Sequence, residues 1–229
     1  MEQLVYPHDL LKISFEKDEL SAFPKWAQLK LTEFQTVIVT RQKPLSKNGV
    51  VVGVRGNQRN QRFAFEINKQ MIQKRVTPYE ALEHFRFNQL PESRKDFPVF
   101  QALRNTQDKQ LLSSNFGITG SAGYEIVTGD MMVKETSDLD LILKVNHRIP
   151  FDKLKKLWEN LNQFSVHADV QLVNDDRGFS LEEFVQQNGK QVLMKSGTGP
   201  FISNCPWSDL IQAGKTLLKQ EEVEWNGKN

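Results

Sequence analysis

A chain of 229 residues, 38% hydrophobic and 25% charged, can bury one large core or two small ones, and that composition excludes disorder as the default state. A formal net charge of +2 gives no electrostatic ground for a nucleic-acid partner. One cysteine, Cys205, excludes an intramolecular disulfide, and neither a secretory leader nor an apolar run of roughly 20 residues is present, so the expectation is a soluble cytoplasmic protein with no membrane segment.

From the N-terminus, Pro7–Ala27 reads as a short amphipathic helix with a turn at Pro24. Phe34–Arg41 is rich in β-branched residues and reads as a strand, and Val50–Arg55 as its hairpin partner across the turn residues Pro44–Gly49. A basic, glutamine-rich stretch follows over Gly56–Arg62, then a third strand over Phe63–Ile67. Thr77 and Pro78 are an N-cap and first-turn pair that opens a helix. The polar, proline-containing stretch Asn88–Pro98 places a domain boundary, dividing the chain into 1–95 and 96–229.

The second half begins with a helix over Val99–Ser113, joined by the glycine-rich connector Phe116–Gly129 to a strand over Ser137–Val145. A helix over Pro150–Asn162, a strand over Val166–Val173, a short helix over Leu181–Gln187, a short strand over Gln191–Lys195 and a terminal helix over Asp209–Glu222 complete the pattern. Helices and strands mix without a βαβ rhythm. The fold class is therefore α+β, with a small mixed sheet in the C-terminal domain and a smaller N-terminal α+β domain.

Alternate side chains of a strand share a face, so Asp138 and Asp140 project together while Leu139, Leu141 and Leu143 point the other way. Two adjacent carboxylates repel, and a divalent cation removes that penalty by taking them as hard oxygen ligands. Asp169, flanked by Ala168 and Val170, is placed to add a third carboxylate from a neighbouring strand. Upstream, Gly120 and Ser121 form a turn where backbone amides and a hydroxyl approach a phosphate closely. Together these residues describe a nucleoside triphosphate and metal site suited to in-line displacement.

The arrangement Gly-Ser, Asp-Leu-Asp and a later Asp resembles the nucleotidyltransferase superfamily of DNA polymerase β type. The interval from Ser121 to Asp138 is longer than is usual there. The stretch GSAGYEIVTGDMMVKETSDLDLIL, with Tyr124, Glu125, Thr128, Gly129 and Ser137, more closely resembles the phosphoribosyl-dephospho-CoA transferase family, the holo-acyl-carrier-protein synthases of malonate decarboxylase. PHDLL, VGVRGNQRNQRFAFEI and LMKSGTGPFIS extend the likeness over most of the chain.

The resemblance implies transfer of 2′-(5″-phosphoribosyl)-3′-dephospho-CoA from its triphosphate precursor to a serine of the malonate decarboxylase acyl carrier protein, with release of pyrophosphate. It implies Mg2+ held by Asp138, Asp140 and Asp169, with the first two as the catalytic pair. Asp169 either binds metal or acts as general base toward the serine.

Arg55, Arg59 and Arg62 form a cationic cluster that binds substrate phosphates or is a solvated loop. That cluster, or Lys69–Arg75, alternatively docks an acidic carrier. Lys195, before the turn Ser196–Gly199, is a further phosphate candidate. His167 is expected to be structural, the tryptophans to pack in cores, and Cys205 to be buried. Two alternatives use the same residues: adenylylation of a protein or small molecule, and a nucleotide-binding module without turnover. The intact carboxylate set speaks against the latter.

Overall fold

The computed structural model describes residues 4–15, 17–58 and 60–211. Its first half contains β1 (Leu10–Ile13), α1 (Lys25–Phe34), β2 (Thr36–Val39), β3 (Gly49–Arg55), β4 (Arg62–Asn68) and β5 (Ile72–Val76). The five strands form one antiparallel sheet in the order β4-β3-β2-β1-β5.

Register divides this sheet into two faces. Leu11, Val37, Val39, Val52 and Val54 point to one side and make a core with Ala27 and Leu31 of α1. Phe15, Phe23, Phe63 and Phe65 pack against that core, with the Phe23 and Phe65 rings 4.7 Å apart. The opposite face carries Leu10, Ile38, Gly53 and Ala64, which align across β1, β2, β3 and β4.

The second half contains α2 (Pro78–His84), α3 (Glu92–Lys95), α4 (Pro98–Asp108), β6 (Phe116–Ile118), α5 (Gly120–Thr128), β7 (Leu139–Lys144), α6 (Phe151–Leu161), β8 (Ala168–Asn174), β9 (Arg177–Ser180), α7 (Leu181–Gln186), β10 (Val192–Met194) and β11 (Phe201–Ser203). A mixed sheet runs β6-β7-β8-β9, with β7 and β8 parallel and the outer pairs antiparallel; β10 and β11 pair separately. Leu139, Leu141 and Leu143 of β7 and Ala168, Val170 and Leu172 of β8 enter a second core with Phe100 and Leu103 of α4 and Leu154 and Leu161 of α6. The molecule is thus α+β, and the sheet faces that do not enter the two cores border a common cavity.

Several local expectations hold. Thr77 caps α2 with Pro78 at its first position, and Glu80 completes a capping box. The strand pairing of β2 with β3, the strand β7 and the helix α6 also form.

Other elements differ from expectation. Pro7–Ala27 is not one helix: Leu10–Ile13 is a strand, followed by a 3-10 turn over Lys17–Leu20. β1 lies between β2 and β5, so two hydrogen-bonded ladders override the helical spacing of its leucines. The connector Phe116–Gly129 is a strand followed by a helix, because Gly120 starts α5 and Gly129, at φ 75°, ends it. β5, β9 and β11 carry no clear sequence pattern; β5 has exposed polar residues at two of five positions, and the others span three or four residues. Residues 206–211 are helical, and the rest of the expected terminal helix lies outside the described residues. Among the described residues no helix is long and apolar enough to cross a membrane.

Candidate active site

β7 and β8 run parallel, so Asp140 and Asp169 are direct register partners on adjacent strands. Their carboxylates share the face opposite the buried leucines. Asp138 precedes β7 and is exposed; its Oδ1 lies 3.6 Å from His167 Nδ1. Burial raises the Asp140 carboxyl to about 6, and the charges of Asp169 and Asp138 add to the rise; Arg55 and His167 oppose it.

Asp140 lies against the first residue of α5. A Cβ on Gly120 would sit 1.8 Å from Asp140 Oδ2, and Gly120 also has φ 61°, so glycine meets both a steric and a backbone requirement. Thr119 donates its backbone N–H to the Asp140 carbonyl at 2.9 Å, tying the helix start to the strand. No side chain caps this helix N-terminus, and Thr119, Gly120 and Gly123 line the cavity. Ser121 Oγ donates to Ser137 Oγ at 3.3 Å, linking the Gly-Ser turn to the residue before Asp138.

The cavity beside these groups has a volume of about 490 Å3. Small residues, Gly53, Ala64, Ala81, Gly120 and Gly123, make room for a ligand between the two sheets. Arg55 and Arg62 also line it. They are cross-strand partners, and neither guanidinium has an ion-pair partner among the described residues. Like charges placed opposite each other are unfavourable, and an anion between them relieves that. Arg59 lies outside the described residues.

Lys195 lies apart from the carboxylates. Its backbone bridges to Gly178, and its charge bears on His8, which lines the cavity. His167 is not buried: its Nε2 faces Glu182 Oε2 at 3.1 Å, so its second nitrogen is held toward Asp138. Cys205 is exposed rather than buried, on the turn after β11. Trp26, Trp158 and Trp207 pack partly buried against the two cores.

Sequence reasoning missed the support behind the site. Glu125 of α5 forms a buried, two-pronged ion pair with Arg94 of α3, at 2.7 and 2.9 Å. The same two side chains hold Val133 by its N–H and carbonyl, each at 2.8 Å, and so fix the loop that leads to Ser137 and Asp138. The Glu125 position was visible in the motif, but its partner is 31 residues away.

Asp138, Asp140 and Asp169 offer hard oxygen donors whose mutual repulsion a divalent cation would offset, so their chemistry fits magnesium. Among the described residues, no three His, Cys, Asp or Glu side chains are already drawn together as a ligand shell.

A family model described as the C-terminal domain of phosphoribosyl-dephospho-CoA transferase MdcG matches residues 87–206, and the corresponding N-terminal domain model matches residues 6–78. The chain is 34% identical to a phosphoribosyl-dephospho-CoA transferase of Pseudomonas syringae pv. tomato, over 89% of this chain and 94% of the relative. Identity is 35% to one of Pseudomonas fluorescens, covering 90% and 96%, and 30% to one of Azotobacter vinelandii, with the same coverage. No solved structure matches.

Proposed function

The chain belongs to the phosphoribosyl-dephospho-CoA transferase family, and from that premise we propose that it attaches 2′-(5″-phosphoribosyl)-3′-dephospho-CoA to a serine of the malonate decarboxylase acyl carrier protein. The observation that carries this reading is the seating of Asp140, beside Asp169, on the uncapped N-terminus of α5 at the edge of a ligand-sized cavity. On this reading the site works as that of a nucleotidyltransferase.

The carrier serine hydroxyl attacks the α-phosphorus of the triphosphate. A bond forms from serine oxygen to phosphorus, the bond to the bridging β-phosphate oxygen breaks, and pyrophosphate leaves with the electron pair. The serine proton passes to a carboxylate of the site. The α5 amides, Ser121 and the Arg55 and Arg62 guanidiniums orient and neutralise the phosphates. Magnesium held by Asp138, Asp140 and Asp169 would supply charge neutralisation for the triphosphate and its leaving group.

The test combines the protein, apo carrier subunit, triphosphoribosyl-dephospho-CoA and magnesium. The expected result is a mass gain on the carrier serine with stoichiometric pyrophosphate, both lost in Asp138→Ala and Asp140→Ala. An unmodified carrier, or full activity in both variants, overturns the reading. Pyrophosphate formed from ATP with another acceptor favours adenylylation instead.

A further inference from the structure

Resting on that reading, the inference concerns how the long substrate lies in the cavity. Dephospho-CoA is an adenosine 5′-diphosphate joined to pantetheine. Its activated precursor therefore carries two separate polyphosphates, a 5′-diphosphate and a reactive 5″-triphosphate, with two linked riboses between them. A protein that binds it needs two cationic positions, only one of which adjoins the carboxylates.

The cavity-facing side of the first sheet provides two. Leu10, Ile38 and Gly53 are aligned across three strands, and β1 and β3 run in the same direction. Arg55 lies two residues beyond Gly53, and His8 lies two residues before Leu10. Arg55 thus lies toward one end of this face and His8, in the turn that precedes β1, toward the other. Arg55 acts electrostatically on Asp140 and so marks the reacting end.

At the other end, Arg41 Nη2 lies 3.1 Å from His8 Nε2 and donates to Gln171 Oε1 at 3.2 Å, while Nη1 donates to the Asp176 carbonyl at 2.9 Å. Gly178 leaves the space for this guanidinium: a Cβ there would approach Arg41 Nη2 to 3.1 Å. The backbone of Lys195 pairs with that same Gly178. Asp176 is the carboxylate whose charge bears on Arg41, and its side chain accepts from the Gly197 amide. The Lys195 ammonium has no hydrogen-bond or ion-pair partner among the described residues. Burial, then the charges of Arg41 and Lys195, holds the His8 imidazole down to about 3, so both cations act on this point.

We propose that His8, Arg41 and Lys195 form the subsite for the substrate's 5′-diphosphate, so that the adenosine end lies over Gly53 and the triphosphate lies at Arg55 and Asp140. His8 and Arg41 also line a smaller cavity of about 230 Å3, with Asp9, Arg75, Lys144 and Asp175 in its wall, and this space is assigned to the pantetheine arm. In this arrangement Lys195 is a substrate-binding residue for the phosphate that does not react.

Calorimetric titration of the full-length protein with dephospho-CoA and with adenosine tests the assignment, using Lys195→Gln and Arg55→Gln. Lys195→Gln is expected to weaken dephospho-CoA binding roughly ten-fold, the scale of one lost charge-assisted hydrogen bond, and leave adenosine binding unchanged. Arg55→Gln is expected to change dephospho-CoA affinity by less than about two-fold, because the probe lacks the triphosphate. The reverse pattern overturns the orientation. Equal binding of dephospho-CoA and adenosine by the wild type, or no effect of Lys195→Gln, overturns the subsite. Carrier labelling by the same wild-type protein reports separately on the transferase reading: if labelling fails while the Lys195-dependent preference for dephospho-CoA remains, the subsite stands and the reaction assigned to it does not.

Discussion

Gly120 and Asp140 occupy space that only a hydrogen at position 120 permits: a methyl group there would lie 1.8 Å from the carboxylate oxygen. Gly120→Ala must therefore move Asp140 or the start of α5, in addition to placing a non-glycine residue at φ 61°. Carrier labelling is expected to fall at least about 100-fold, with a stability loss of about 1–2 kcal/mol from the backbone term. Because the variant acts by displacing Asp140, adding Asp140→Asn should reduce activity little further. Independent, multiplicative losses in the double variant would refute the coupling.

Arg94 and Glu125 are both buried, and each also serves Val133. Glu125→Leu leaves the Arg94 charge without its partner in the interior, a change that typically costs about 3–5 kcal/mol. Urea unfolding should report a loss of that size, and the double variant Arg94→Met/Glu125→Leu should recover much of it. Labelling activity should remain low in the double variant, because Val133 loses both hydrogen bonds and the loop before Asp138 is no longer held. Full activity there would mean that the pair has no positioning role.

The parts of the site that could be read from sequence are those whose geometry is local. Strand alternation points to Asp138 and Asp140 as neighbours, and although Asp138 lies just before β7 its charge does act on Asp140; Gly120 announces a tight approach by having no side chain. The arrangement of β7, α6 and β8 followed from local hydrophobic spacing. Asp169 could be nominated from its flanking apolar residues, but its register with Asp140 is a property of the parallel ladder. The opposite cavity wall was hidden for the same physical reason. His8 lies in a segment whose leucine spacing suits a helix, and it reaches the cavity only because β1 inserts between β2 and β5. Arg41 meets Gln171 and Asp176 across more than 100 residues of chain, a contact that no local pattern encodes.

Gly53 offers a variant that separates binding from stability. A Cβ there would meet only Thr40 Cγ2 at 3.6 Å and the Phe63 carbonyl at 3.8 Å, both ordinary contacts, while the side chain would extend into the cavity. Replacing a glycine inside a strand also removes an entropic penalty of about 0.5–1 kcal/mol. Gly53→Leu should therefore melt no lower than the wild type, yet raise KM for the activated precursor at least about ten-fold by filling the space assigned to its adenosine end. Unchanged KM in a stably folded variant would place the substrate elsewhere.

The acid limb of stability should depend on His8. Its imidazole is held down to about 3 in the folded chain by burial and by the charges of Arg41 and Lys195, against 6.5 for an unperturbed histidine. The sign follows from proton uptake: below about 6.5 the unfolded chain binds a proton that the folded chain refuses, so stability falls as pH decreases from about 6.5 to about 3 and is unaffected above that window. Full linkage gives about 2 kcal/mol lost by pH 5; His8 keeps some contact with solvent, which reduces the expectation to about 1–2 kcal/mol. His8 has φ 77°, so asparagine, which tolerates the left-handed region, is the suitable replacement. Urea unfolding of His8→Asn at pH 7.5 and pH 5 should show a smaller difference between the two conditions than the wild type, by about that amount. If the two proteins lose stability equally on acidification, other groups control the acid limb and the environment assigned to His8 is wrong.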